Sequence, residues 1–437
     1  MPAISHSVVI VGAGFSGTMV AAQLARRGVA AVLVDPRPVH GPGTAYTVPK
    51  RTVLLNVPAR NMSAWPDAPD DFAADDDPAR FAPRLAYGAY LQRIHADAVA
   101  TGLVRSIHRG VHRLTASGDG WEVSLSDGSI LEADHVVVAT GNEPPPSPRW
   151  AESLGDRFIA NPWSEAAFAL LSRGRGTILV LGSGLTMVDA AMTFDAAGGA
   201  GRIIALSRRG QIPRAHRPTT PAPVGLDEIP ATSIARLAAW LRNRSEEVGW
   251  RAAVDALRPH SATLWATLPI GERRRFLRHA LPWWNVHRHR VAPEVAQRME
   301  KMQREGRLSI RSGRIVSATS DESGVDVVIA PRGGRGRTET LRVDAIVNAV
   351  GPNGSMVGLD NPLLRQLVLD GIAPIDPLGI GIAVEPDLSV AGRTSLWSIG
   401  PPTRGTFWES TAVPDIRVQA DLLATNLAAK LSASART

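Results

Sequence analysis

Val8-Val9-Ile10-Val11-Gly12-Ala13-Gly14-Phe15-Ser16-Gly17 is a short apolar run that empties into a glycine-rich turn, and the pattern returns at Thr177-Ile178-Leu179-Val180-Leu181-Gly182-Ser183-Gly184-Leu185-Thr186-Met187. Residues 7–11 read as a buried parallel strand and Thr18 to Arg27 as the helix after it, with Gly28 as its stop. Each glycine has a distinct task. Gly12 permits the tight turn, Gly14 lets backbone approach a pyrophosphate, and Gly17 lets helix and strand pack closely, while the helix N-terminus faces the negative charge. The next apolar run, Ala31-Val32-Leu33-Val34, ends at Asp35, where an acid can accept hydrogen bonds from ribose hydroxyls and repel a 2′-phosphate. One such turn is a weak signal. Two of them predict an α/β protein with two Rossmann-like dinucleotide-binding domains.

Both units close in the same way. His135-Val136-Val137-Val138-Ala139-Thr140-Gly141 and Ala345-Ile346-Val347-Asn348-Ala349-Val350-Gly351 are apolar strands that end in glycine, each after extended segments, and Asp127-Gly128 marks a hairpin between two of these. The plan of residues 103–141 is thus expected to repeat at 308–351. The second unit departs from the first at two points. Its third fingerprint position is Met187, a bulky side chain that should push the helix off the strand. Its ribose strand, Arg202 to Leu206, ends in Ser207-Arg208-Arg209 where the first has its acid. Arg208 and Arg209 suit a 2′-phosphate, which favours NADPH over NADH; the alternative is a solvated strand end.

These boundaries predict a first nucleotide domain over 1–150, a second over 175–351, and a return to the first over 352–437. A mainly helical insert at 211–305 interrupts the second, since Ile234, Leu237, Ala238 and Leu241 recur at helical spacing. An insert there is placed to cap the cleft and shape a substrate pocket. It contains Pro282-Trp283-Trp284-Asn285-Val286-His287-Arg288-His289-Arg290. His287 and His289 are candidate substrate or anion contacts, or simply a polar segment packed by the tryptophans; their spacing without further ligands does not make a metal site, and no metal is expected.

Composition narrows the chemistry. The 437 residues include no cysteine, which excludes a redox disulfide, a thiolate nucleophile and a cysteine-ligated metal or cluster. Electrons must therefore travel through bound cofactors, for which the natural pair is FAD and a nicotinamide. The formal charge of +7 is almost wholly arginine, because Lys50, Lys301 and Lys430 are the only lysines. Nucleic acid is not the expected partner. No leader or membrane span is read from the sequence, and a cytoplasmic location is expected.

Gly41-Pro42-Gly43-Thr44-Ala45-Tyr46, Asn56-Val57-Pro58-Ala59-Arg60-Asn61-Met62-Ser63 and Arg404-Gly405-Thr406-Phe407-Trp408-Glu409 through Pro414 resemble the signature of the bacterial FAD-NAD(P)-binding protein family. The resemblance covers nearly the whole chain and implies a two-dinucleotide flavoprotein related to flavin-dependent monooxygenases and reductases. It implies that the segment from Asn56 to Met62 passes beside the flavin ring, making both residues catalytic candidates. It also implies that Ile399 to Pro414 closes the flavin site, with Gly400 near the phosphate and Thr411 opening the last helix, whose positive end favours a reduced, anionic flavin. Gly400-Pro401 stands where such proteins have Gly-Asp. Glu409 is a candidate base near the flavin or a plain helix-terminal acid.

The function this implies is an FAD-dependent NADPH oxidoreductase. Its leading form is a monooxygenase that takes molecular oxygen and a small nucleophilic substrate, with N-hydroxylation in view. The alternatives are a reductase or dehydrogenase without oxygen transfer, and a flavin-binding sensor.

Overall fold

The computed structural model describes residues 5–47, 52–73 and 77–434. The apolar run before the first turn is β1 (Ser5–Val11), with Val8, Val9 and Ile10 wholly buried. Helices cover both faces of a parallel strand, and so the run shows no polar alternation. Helix α1 (Phe15–Arg26) begins three residues earlier than its apolar spacing suggests, because Gly14 itself is the N-cap. β2 (Ala31–Val34) lies parallel to β1, and α2 (Arg84–Ala100) leads to β3 (Val104–Ile107) on the outer side of β2. β4 (Val111–Ser117), β5 (Gly120–Leu125) and β6 (Ile130–Val138) form an antiparallel meander whose second turn is the Asp127-Gly128 hairpin, with Gly128 at φ +85°. β6 then runs on beside β1 in parallel.

The second sheet repeats the opening: β7 (Phe158–Ile159), α3 (Glu165–Leu171), β8 (Thr177–Leu181), α4 (Leu185–Asp195) and β9 (Arg202–Ser207). Five helices follow: α5 (Ile234–Val248), α6 (Trp250–Leu257), α7 (Ser261–Thr267), α8 (Ile270–Arg275) and α9 (Leu281–Arg288). The next helix, α10 (Pro293–Arg304), is different in kind. Its Val295, Met299 and Met302 are buried in the same core as Met187, Val188 and Phe194 of α4. It is the crossover between β9 and β10 (Leu308–Asp321), so the stretch left over from the nucleotide-binding plan ends before Pro293 rather than at 305. Amphipathic spacing alone does not separate a crossover helix from an inserted one.

β11 (Gly324–Pro331), β12 (Glu339–Val343) and β13 (Ala345–Asn348) complete the sheet in the order β12-β11-β10-β9-β8-β13-β7. The repeat is not literal here: the first meander hangs on β6, whereas the second hangs on the long strand β10. After α11 (Pro362–Leu369), β14 (Leu396–Ser398) returns to the first sheet beside β6, and α12 (Val413–Ser434) packs along α1. Trp397 and Leu427 are wholly buried there. Among the described residues no helix is long and apolar enough to cross a membrane.

Candidate functional site: two glycine turns and a charged cluster

At the first turn the Gly12 N–H donates to Val34 O at 2.8 Å, which stitches β1 to the end of β2. Gly12 has φ +106°, and a Cβ there would drive into Ala139 O at the end of β6; a Cβ on Gly17 would collide with Gly12 O. These clashes require glycine at both positions. Gly14 is required less by its own backbone, since a Cβ would meet Gly43 Cα only at 3.5 Å; what it keeps clear is the approach to the α1 N-terminus. The terminal strand arrives at the same point. A Cβ on Gly400 would touch Ser16 Oγ at 2.6 Å, with Ser410 O 3.8 Å away. The structure therefore brings Gly12, Gly14, Gly17 and Gly400 together, although nearly four hundred residues of chain separate the first from the last. Buried hydroxyls without a partner, Thr140 Oγ1 and Ser410 Oγ, flank this place, next to Gly141 and Thr411 respectively. The approach kept clear by Gly14, a helix N-terminus and unpaired hydroxyls fit a dinucleotide pyrophosphate.

Asp35 is only 4% exposed and already fully engaged. Oδ1 accepts from the Arg37 N–H at 3.0 Å and Nε–H at 2.7 Å; Oδ2 accepts from the Ala13 N–H at 2.8 Å and from the second arm of the Arg37 guanidinium. Burial pushes its pKa up, but the Arg37 hydrogen bonds and charge and the Ala13 N–H together hold the carboxyl below its usual value. A ribose hydroxyl can be accepted only where Arg37 gives way. The spacing of Asp35 from the glycines carries no sign of this pairing.

The second turn has the same stitching. The Gly182 N–H donates to Leu206 O at 2.8 Å, Gly182 has φ +101°, and a Cβ there would strike Ala349 O. Met187 is wholly buried in the adjoining core, so its bulk is absorbed there while the turn keeps its form. Around Gly184 nothing lies within 4 Å of a Cβ position. The place of Asp35 is taken by Ser207, whose hydroxyl receives Ser183 Oγ–H at 2.8 Å and the Gly210 N–H at 2.9 Å. Arg208 is exposed and Arg209 half-buried, and neither forms an ion pair among the described residues.

The insert docks on the segment around Asn56 and on Gly405–Glu409. His216 Nε2 lies 3.0 Å from Asn56 O, and Trp265 Nε1–H donates to Gly405 O at 2.9 Å while its ring stacks on Trp408 at 4.6 Å. Glu409, 8% exposed, accepts Arg288 Nη2–H at 2.9 Å and Trp284 Nε1–H at 3.2 Å. Asp415, on the first turn of α12, has its pKa raised to about 6 by burial and by Glu409, against the opposing charges of Arg258, Arg288 and Arg417; its Oδ2 is buried without a partner. His289 is pushed down to about 4 by burial, with Glu409 acting against Arg288 and Arg258. It is neutral at physiological pH, so a substrate or anion would meet it through a single N–H donor rather than a charge.

The two histidines do not converge. His287 Nδ1 meets Trp283 O at 2.8 Å and its ring is edge-on to Trp250 at 4.9 Å, away from Glu409. Met62 is 3% exposed and packs in the core that contains Leu55 and Tyr87. Asn56 offers its backbone carbonyl to His216. Sequence reasoning missed Asp415, Arg258 and Arg288. An acid in a helix's first turn reads as an ordinary complement to the helix dipole, and the Arg288–Glu409 pair joins residues 121 apart with no motif to announce it. Among the described residues no group of three or more His, Asp or Glu is placed to hold a metal ion.

Residues 9–143, which hold the end of β1, the whole first turn and β2 through β6, match the family model for FAD-NAD(P)-binding. The chain carries a FAD-NAD(P)-binding domain. This agrees with the resemblance drawn from Gly41–Tyr46 and Asn56–Ser63. A curated relative, the tRNA 5-methylaminomethyl-2-thiouridine biosynthesis bifunctional protein of Chromohalobacter salexigens, is 33% identical over 207 residues. That similarity spans 32% of this chain and 29% of the relative's length. Among solved structures, the reduced ornithine hydroxylase of Pseudomonas aeruginosa shares the fold over 98% of this chain and 100% of its own, with a TM-score of 0.69 at 16% identity. The Kutzneria sp. 744 ornithine N-hydroxylase, solved with reduced FAD, NADP+ and L-ornithine, gives 0.66 at 16% identity over 98% and 100%. The thioredoxin reductase of T. acidophilum gives 0.57 at 13% identity over 98% and 99%. The FAD-NAD(P)-binding domain thus sits in a two-sheet framework common to these flavoproteins.

Proposed function

We propose that the protein is an FAD-dependent NADPH oxidoreductase that hydroxylates the nitrogen of a small amine with molecular oxygen. FAD belongs at the turn of Gly12, Gly14 and Gly17, and NADPH at that of Gly182 and Gly184 with Arg208 and Arg209. When bound, the reduced flavin supplies the electrons that activate oxygen. The observation that carries the reading is the desolvated Asp415–Glu409–Arg288–Arg258 cluster, closed over by the inserted helices beside the terminal strand.

An amine arrives as an ammonium and is a nucleophile only after losing a proton. Asp415 Oδ2, ionised above about pH 6 and without a partner, accepts that proton. Glu409 is held in place by Arg288 and Trp284, and orients the ammonium without being consumed. Trp265, Phe276 and Trp408 pack edge-to-face and stacked at 4.6–5.8 Å and exclude water from this end. Overall, amine, oxygen, NADPH and a proton yield hydroxylamine, NADP+ and water. The likeness of fold to N-hydroxylases supports this reading, as does the lack of cysteine, because a dithiol relay has no residues to run on.

A reductase is the second reading, favoured by the likeness of fold to a thioredoxin reductase; its acceptor would have to bring its own redox group. The test is stoichiometry with a panel of small diamines and amino acids. Hydroxylated product matching NADPH and oxygen consumed supports the monooxygenase, and NADPH consumed only with an added electron acceptor supports the reductase.

A further inference from the structure

At the edge of the second sheet where the Gly182 turn lies, a pocket of about 320 Å³ is lined by Arg208, Arg314, Arg332, Arg335 and Arg337 with Gly313, Gly333, Gly334 and Gly336. Arg208 follows the last residue of β9, and Arg314 stands on the neighbouring parallel strand just past Ser312, the register partner of Ser207. The other three come from the loop between β11 and β12, tied to this edge by the Arg332 N–H donating to Ser312 O at 3.0 Å. No carboxylate lines the pocket, and none of the five arginines is in an ion pair among the described residues. Five like charges around one cavity repel one another, and the arrangement is relieved by an anion. Arg335 adds a second sign of function: its φ is +47°, a left-handed backbone that a non-glycine residue rarely takes, in a loop whose neighbours Gly333 and Gly336 adopt it freely.

The volume is at the low end of the range for small-molecule sites and larger than one inorganic phosphate needs. In a dinucleotide fold the adenosine ribose lies at the end of the strand after the glycine turn, and here that is β9. We propose that the β11–β12 loop, residues 332–338, forms with Arg208 and Arg314 the site for the 2′-phosphoadenosine end of NADPH. This inference rests on the assignment of NADPH to the second turn and extends it to a segment that is far away in sequence.

Equilibrium calorimetry on the oxidised, FAD-loaded protein tests it with NADP+, NAD+, 2′,5′-ADP and inorganic phosphate as titrants. The variants are Arg332→Ala/Arg337→Ala and Arg335→Gly, the latter removing a charge while easing the backbone; flavin absorbance checks that both are folded. Expected are a loss of NADP+ and 2′,5′-ADP affinity of tenfold or more in the double variant, a smaller loss for Arg335→Gly, and NAD+ affinity within twofold of the parent. Unchanged NADP+ affinity, equal losses for NADP+ and NAD+, or inorganic phosphate binding as tightly as 2′,5′-ADP each overturn the loop's role. A parent protein that binds NAD+ as well as NADP+ rejects the NADPH assignment itself. Loss of NADP+ preference in Arg208→Ala, with full preference kept in the loop variants, leaves that assignment standing and rejects only the loop.

Discussion

The two glycine turns share a backbone and differ in what covers them. Gly12 and Gly182 have nearly equal φ, donate to the end of the next strand at the same 2.8 Å, and leave the same lack of room against a carbonyl of the closing strand, Ala139 O or Ala349 O. Around the first, Gly43 and Arg37 stand near Gly14, Asp35 ties down the turn, and Gly400 arrives from the far end of the chain. Around the second, the space at Gly184 is open and a serine replaces the acid. A sealed turn suits a cofactor that stays, and an open one suits a coenzyme that must leave after each turnover. On the proposed assignment, identical strand–turn–helix physics serves a resident FAD and an exchanging NADPH through the loops around it.

The largest expected effect breaks the first turn. Gly17→Val places a side chain into Gly12 O, and soluble yellow protein should not be recovered; Gly14→Val has room to fold and should yield colourless protein. Full flavin content in Gly14→Val would remove FAD from this turn. Gly184→Val should leave flavin content intact, because its Cβ meets nothing, yet weaken NADP+ by tenfold or more, about 1.4 kcal/mol or above, as equilibrium titration would report.

Arg208→Ala sharpens the same contrast, with roughly tenfold lost for NADPH and much less for NADH in steady-state kinetics. Equal losses would mean that no 2′-phosphate is held there.

Asp415 joins function to stability. Its folded pKa of about 6 exceeds the value near 3.9 of an unfolded Asp, so the folded state binds the extra proton between these limits and stability falls as pH rises through them. Asp415→Asn should gain on the order of 1–3 kcal/mol above pH 7, with the gain vanishing below about pH 4, while product formation falls. A variant less stable at pH 8 than at pH 4, relative to the parent, would contradict the burial argument.

The smallest effect belongs to the histidines. His289→Gln, beside Glu409, should impair coupling of NADPH to product while sparing anaerobic flavin reduction. His287→Gln, edge-on to Trp250, should change little beyond a modest loss of thermal stability. Equal catalytic losses in both would restore the pair as a unit.

Both turns, their strands and the closing Gly141 and Gly351 were legible because steric demand and apolar runs are local. The crossover α10 is not separable from the insert in the sequence, because its spacing looks the same in either role. Asp35 was legible as an acid at the ribose strand, but not its enclosure by Arg37, since side-chain pairing at a two-residue separation leaves no pattern. The site between α9 and α12 was least legible: Arg288, Glu409 and Asp415 acquire their meaning from desolvation by helices far apart in sequence.

The most direct measurement is a double-mixing experiment in which the FAD-loaded protein meets one equivalent of NADPH without oxygen and is then mixed with oxygen and a small amine. Complete bleaching of the flavin in the first step, followed by about one equivalent of hydroxylamine in the second, is the result this account predicts. Flavin that stays oxidised in the first step, although the protein binds both dinucleotides, would contradict it.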